Sequence, residues 1–210
     1  MATAVDICNM ALSQLGDEAT VTSIDPPEGS AQAEHCQRFY PMARDEILAS
    51  HHWTFAKRRT QLAKLADAPV GQEDFYYYPL PADCIELISV GTSQLPPNVQ
   101  PTYTIEQTDA GQAIVAKYKT LWVLYITSDV KETQFPPLFT TALTHKLASL
   151  LAGPIIASSS ADSYVKKHLE LYTFYLTKAI DKDARQVLQK QKYVSPFLGF
   201  ATGEISDAFD

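Results

Sequence analysis

The chain has 210 residues, 46% of them apolar, and a net charge of −7. That size and apolar fraction suffice for one generous core, or a core with a small second layer. The acidic balance argues against a wide phosphate-gripping face, and no apolar run approaches the roughly 18 residues of a membrane span.

The first residues, MATAVDICNM, lack a basic head and an apolar block, so no signal peptide is expected. A helix is predicted over TAVDICNMALSQLG. Thr3 and Asp6 have capping-box spacing, Val5, Cys8, Leu12 and Leu15 repeat at helical spacing, and Gly16 suits the left-handed turn that ends a helix. A polar loop, DEATVTSIDPPEGS, follows. Ser30 then caps a second helix whose apolar stripe is Cys36, Tyr40, Ala43 and Ile47. Pro41 inside it should bend or split it, because proline removes a hydrogen bond and clashes with the preceding turn.

From about Thr54 the period changes. TFAKRRTQLAKL reads as extended and DFYYYPLPADC as a turn or irregular edge. CIELISVG, PTYTIEQ, AIVAKYK and TLWVLYITSD read as short strands joined as antiparallel hairpins, with TDAGQ and YKT as connections. Helical period returns after FPPLF, where Pro136 and Pro137 suit a first turn. Phe139, Leu143, Leu147 and Leu150 form a stripe that Gly153-Pro154 should stop. Ser159 and Asp162 offer a further capping pair. A last helix is predicted from about Ala161 to Gln189, with Val165, Leu169, Tyr172, Leu176 and Ala179 as its stripe.

This order implies an α+β fold. The N- and C-terminal helix pairs, residues 1–53 and 135–188, each carry an uncovered apolar face and are expected to form a four-helix bundle. Residues 54–134 would be an inserted antiparallel β domain and 189–210 an extended C-terminal arm.

Few residues carry chemistry. His51 and His52 are sequence neighbours, so on a helix they point about 100° apart and make no metal pair; they are expected to face the terminal carbonyls of the second helix. His35, His145 and His168 have no carboxylate at metal-binding spacing. Neither phosphate-cradling glycine loops nor nucleophile motifs occur, so the expectation is a non-enzyme without metal or cofactor. The thiols Cys8, Cys36 and Cys84 are far apart and form no CxxC pair; they read as buried, reduced cysteines of a cytoplasmic protein. Lys57, Arg58 and Arg59 are the one basic cluster, read as a subunit contact, a solvated edge or a phosphate-contacting stripe. Trp53 and Phe55 read as a structural junction pinning a helix end against the sheet. Tyr193, Phe197, Leu198, Phe200 and Phe209 are large apolar groups in a segment too short for its own core. Either they pack back on the parent domain or they dock on a partner as an arm.

Taken together, ICNMALSQLGD, the Ser-Ile-Asp loop and AEHCQRFYPMARDEILASHHWTFAKRRTQLA resemble the head-to-tail adaptor proteins of short-tailed phages, the tail tubular protein A or head-completion group. PPLFTTALTHKLASLLAGPI is similar to that group's third helix. The likeness covers about residues 4–65 well and about 135–185 loosely. It implies a structural virion protein, assembled in the host cytoplasm, that forms a ring of about twelve copies. Such a ring sits between a portal protein and a tail nozzle protein, with tail fibres as a further partner, no membrane, and DNA passing through without sequence-specific binding. It also implies that the C-terminal segment is a portal arm. Another nozzle or stopper component, or a nucleic-acid-binding module using Lys57–Arg59, are the competing expectations.

Overall fold

The computed structural model describes residues 2–18, 20–66, 69, 71, 74–95, 99–109, 111–156 and 160–187. The predicted arm and the Ser159 cap lie outside the described residues. Helix α1 spans Ala4–Gln14. Its N-terminus is closed reciprocally: the Thr3 hydroxyl accepts from Asp6 N–H, and the Asp6 carboxylate accepts from Thr3 N–H at 2.8 Å. At the other end Gly16 takes a φ of +79°, so Gly16 N–H reaches Ser13 O and Asp17 N–H reaches Leu12 O. This is a Schellman ending, and a side chain at that φ would be strained. The following loop is tied down by Asn9, whose amide pairs with both Val21 N–H and Val21 O at 2.8 Å, as a β-ladder partner would.

Helix α2, Ala31–Ala49, runs unbroken through Pro41. The sequence expectation of a split is not met, because Tyr40, Ala43, Ile47 and Leu48 are all buried on either side of the proline; tertiary packing outweighs one lost backbone bond. Helix α3, Pro137–Ile155, likewise passes through Gly153 and Pro154. Helix α4 spans Ala161–Val187.

Among the described residues six strands lie between the helix pairs: β1 (Lys57–Leu62), β2 (Tyr76–Pro79), β3 (Cys84–Gly91), β4 (Thr104–Thr108), β5 (Gly111–Ala116) and β6 (Leu121–Thr127). They form two antiparallel sheets, ordered β1-β6-β3 and β2-β5-β4. Tyr76–Pro79, read from sequence as irregular, is a strand, and Pro79 sits at its end where a missing N–H matters least. The predicted run of hairpins holds only for β4–β5; the YKT connection instead carries the chain from one sheet to the other.

The predicted four-helix bundle with an inserted β domain is not what forms. Among the described residues the fold is a mixed α+β arrangement of four α-helices and two three-stranded sheets. Helix α3 is buried around most of its circumference, from Phe139 through Leu143, His145 and Ala148 to Leu151 and Ala152. Helices α1, α2 and α4 each pack on α3, and α1 scarcely touches α2. The rest of the cover comes from the first sheet, whose Ile126, Ile85 and Ile88 join the helical core. A stripe at helical spacing states only that one face needs covering, and here a sheet covers part of it.

Strand β6 is the partition between two cores. Ile126 faces the helices. Leu121, Val123 and Tyr125 face the second sheet and meet Tyr78, Ile114 and Ala116. At one edge Gly91 lies opposite Trp122, and a Cβ built on Gly91 would stand 2.1 Å from the indole. The indole also carries the Arg59 guanidinium 4.6 Å from its centroid. Gly91→Ala is therefore expected to destabilise by roughly 1–3 kcal/mol through overpacking. A lower urea midpoint at unchanged m would show it; an unchanged midpoint would refute the close approach.

Candidate functional site

The junction after α2 is built on one carbonyl. Ile47 O accepts from Ser50 N–H at 3.1 Å, from the Ser50 hydroxyl at 2.7 Å and from Trp53 Nε1–H at 2.9 Å. Trp53 is 1% exposed. Its ring stands edge-on to Phe139 at 5.1 Å, and Phe55 packs on Phe139 at 5.1 Å and on Phe135 at 5.9 Å. Trp53 and Phe55 thus join the end of α2 to the start of α3, through a short 3-10 turn, Thr54–Ala56.

The two histidines do not face the helix carbonyls as expected, since Ser50 and Trp53 occupy that place. His51 Nε2 lies 3.2 Å from Asp183 Oδ2 on α4, and His52 Nε2 lies 3.4 Å from Glu86 on β3. Asp183 is 4% exposed and also accepts from Thr54 N–H at 3.1 Å and the Thr54 hydroxyl at 2.5 Å. In the sequence Asp183 stands in the charged run DKDARQ near the end of the last predicted helix. Its position four residues after Ala179, in line with Leu176 and Tyr172, is the signal that it faces inward.

The basic cluster is dispersed by β1. Arg58 donates to Asp83 at 2.8 Å and to Asp129 at 3.1 Å. Asp83 in turn accepts from the Thr127 hydroxyl at 2.5 Å and the Tyr125 hydroxyl at 3.2 Å. Burial pushes the Asp83 carboxyl up, but these donors and the Arg58 charge outweigh it and hold the group below the ordinary aspartate value. Arg59 stacks on Trp122, as above. Lys57 is half-buried and has no ion pair among the described residues. Cys8 and Cys36 are buried free thiols, while Cys84 is half-buried and pushed up to about 11 by burial and by the Asp83 and Glu86 charges.

His145 and His168 lie 23 positions apart in the sequence, and the fold joins them across α3 and α4. Their Nδ1 atoms are 3.2 Å apart, and the residues are 8% and 0% exposed. His168 occupies the stripe position that the periodicity assigned to Leu169, which is 38% exposed. His145 also lines an open cleft of about 480 Å³ between α1 and α3, with Asp6, Met10 and Thr141 on its walls. A second, separate surface is the outer face of α4. There Phe174 is 50% exposed among Thr173, Thr177 and Asp181, and Lys178 Nζ lies 4.1 Å from the Phe174 ring centroid.

Among the described residues no three His, Cys, Asp or Glu side chains gather as a metal site requires, and no helix is long and apolar enough to cross a membrane. Tyr193, Phe197, Leu198, Phe200 and Phe209 lie outside the described residues. No family model and no curated protein matches the chain.

Proposed function

We propose that the chain is a structural virion protein: an adaptor that forms a ring, about twelve copies by its sequence resemblance, between a portal and a tail nozzle, with DNA passing through the opening. The observation that carries this reading is a pair of different, part-apolar faces on the helical layer. One is the α1–α3 cleft with Met10 on its wall; the other is the α4 outer face with Phe174, Thr177 and Lys178. A ring closes through heterologous contacts, so each copy must offer two unlike surfaces. Phe174 is unusual for a solvated helix face and suits an anchor in such a contact. The DNA-binding alternative is less well supported, because Arg58 is committed to Asp83 and Asp129 and Arg59 to Trp122. In this reading the segment beyond α4 is the portal arm, and twelve weak arms acting together make an avid joint.

The test is electron microscopy of the protein mixed with its portal. Ring density beneath the portal is expected for the unaltered chain. Phe174→Asp is expected to abolish that ring while changing the free energy of unfolding by no more than about 0.5 kcal/mol, since the position is exposed. Absence of portal-bound density with the unaltered protein would reject the reading.

A further inference from the structure

The His145–His168 pair sits in the most extensive helix–helix seam of the molecule, α3 against α4, with His145 also reaching the wall of the α1–α3 cleft. Its chemistry is restrictive. A hydrogen bond between two Nδ1 atoms needs one to carry a proton and the other to lack it. The neutral pair meets that demand at 3.2 Å. A doubly protonated pair would set two donors and two positive charges against each other in a place with almost no solvent. His145 is stacked on Tyr175 at 5.4 Å and borders the α1–α3 cleft, and His168 is stacked on Tyr164 at 6.4 Å.

We infer that this pair is an acid-sensitive catch on the α3–α4 seam: taking up a second proton forces the imidazoles apart and loosens α4 from α3. The charges facing the pair act in both directions. On α4, Lys167 opposes protonation of both rings. On α1, Asp6 lines the cleft beside His145, but its carboxylate is engaged by Thr3. The Gln14 carbonyl lies near His168 Nε2 and favours its charge slightly, yet it is too poorly placed for a full hydrogen bond. On α3 the neighbouring Lys146 is held by Glu46 of α2 at 2.7 Å. Burial is the largest influence and pushes both imidazoles below the ordinary histidine value, with the His168 ring adding to the effect on His145.

The sign follows from linkage. Unfolded imidazoles titrate at about 6.5. Above that value both states are neutral and the seam has full strength. As pH falls from there through the depressed folded values, the unfolded chain binds more protons and stability is lost.

The experiment compares thermal unfolding of the full chain with His168→Phe at about pH 7.5 and about pH 5. The unaltered protein is expected to lose roughly 3–6 °C more than the variant over that interval. Equal losses in the two proteins would overturn the inference, since carboxylates common to both cannot account for a difference. Should the variant fail to fold, ring-carbon NMR titration of the unaltered protein decides. Protonation of both imidazoles below the ordinary histidine value, with α4 amides broadening in the same interval, supports the catch. Either imidazole protonating at or above that value refutes it.

Discussion

Trp53→Ala is expected to cost about 3–5 kcal/mol, the range for removing a large aromatic from a well-packed site. The side chain is 1% exposed and touches Phe55, Phe139 and His51. The surrounding rings are held by one another, with Phe135 and Phe139 at 4.8 Å. The void would therefore stay largely open. Trp53→Phe separates the two contributions of the side chain. It keeps most of the ring packing and loses the Nε1–H bond to Ile47 O, so a smaller loss of roughly 1–2 kcal/mol is expected. Guanidinium unfolding of both variants checks this. An alanine variant no less stable than the phenylalanine variant would show that the ring cluster does not hold the junction.

Asp183→Ala is expected to be the next most damaging change, at about 2–4 kcal/mol. It leaves Thr54 N–H without its acceptor, leaves the Thr54 hydroxyl only the longer bond to Gln186 Oε1 at 3.5 Å, and releases His51. Asp183→Asn keeps the volume and one oxygen, so it should retain part of the loss. His51→Ala should cost less than either, because that side chain is 24% exposed and water can replace it. Urea midpoints in the order Asp183→Ala, Asp183→Asn, His51→Ala, from lowest to highest, are the expected result. A His51 variant as damaged as the Asp183 variants would move the weight of the junction onto the ion pair and away from the Thr54 bonds.

Much of the local structure was legible because local chemistry decides it. Thr3 and Asp6 announce the start of α1, Gly16 its end, and the proline pair the start of α3, each through groups within one turn of the chain. Architecture was less legible. The apolar stripes of the end helices suggested mutual cover in a bundle, whereas α3 is wrapped by three helices and the first sheet shares their core. Nothing in a 3.6-residue period distinguishes a helix partner from a sheet partner. The hairpin reading failed for β5 and β6 because strand pairing across sequence distance, such as Lys57 with Ile126, leaves no local mark. Among the candidate residues, the junction aromatics were readable from their size and spacing. The functions of Asp183 and of the His145–His168 pair were not, since each depends on a partner at least 23 positions away.

The central place of α3 and β6 bears on how the chain matures during synthesis. Both elements lie in the second half of the sequence, yet α1 and α2 depend on α3, and β1 depends on β6. A ribosome-bound chain that has emerged only through β5 therefore holds two helices without their hub and an edge strand without its mate. Such a nascent fragment exposes sticky surface for as long as elongation takes, a matter of seconds at about 5–20 residues per second. Chaperone occupancy should accordingly peak before residues 137–155 leave the exit tunnel and fall once they have done so.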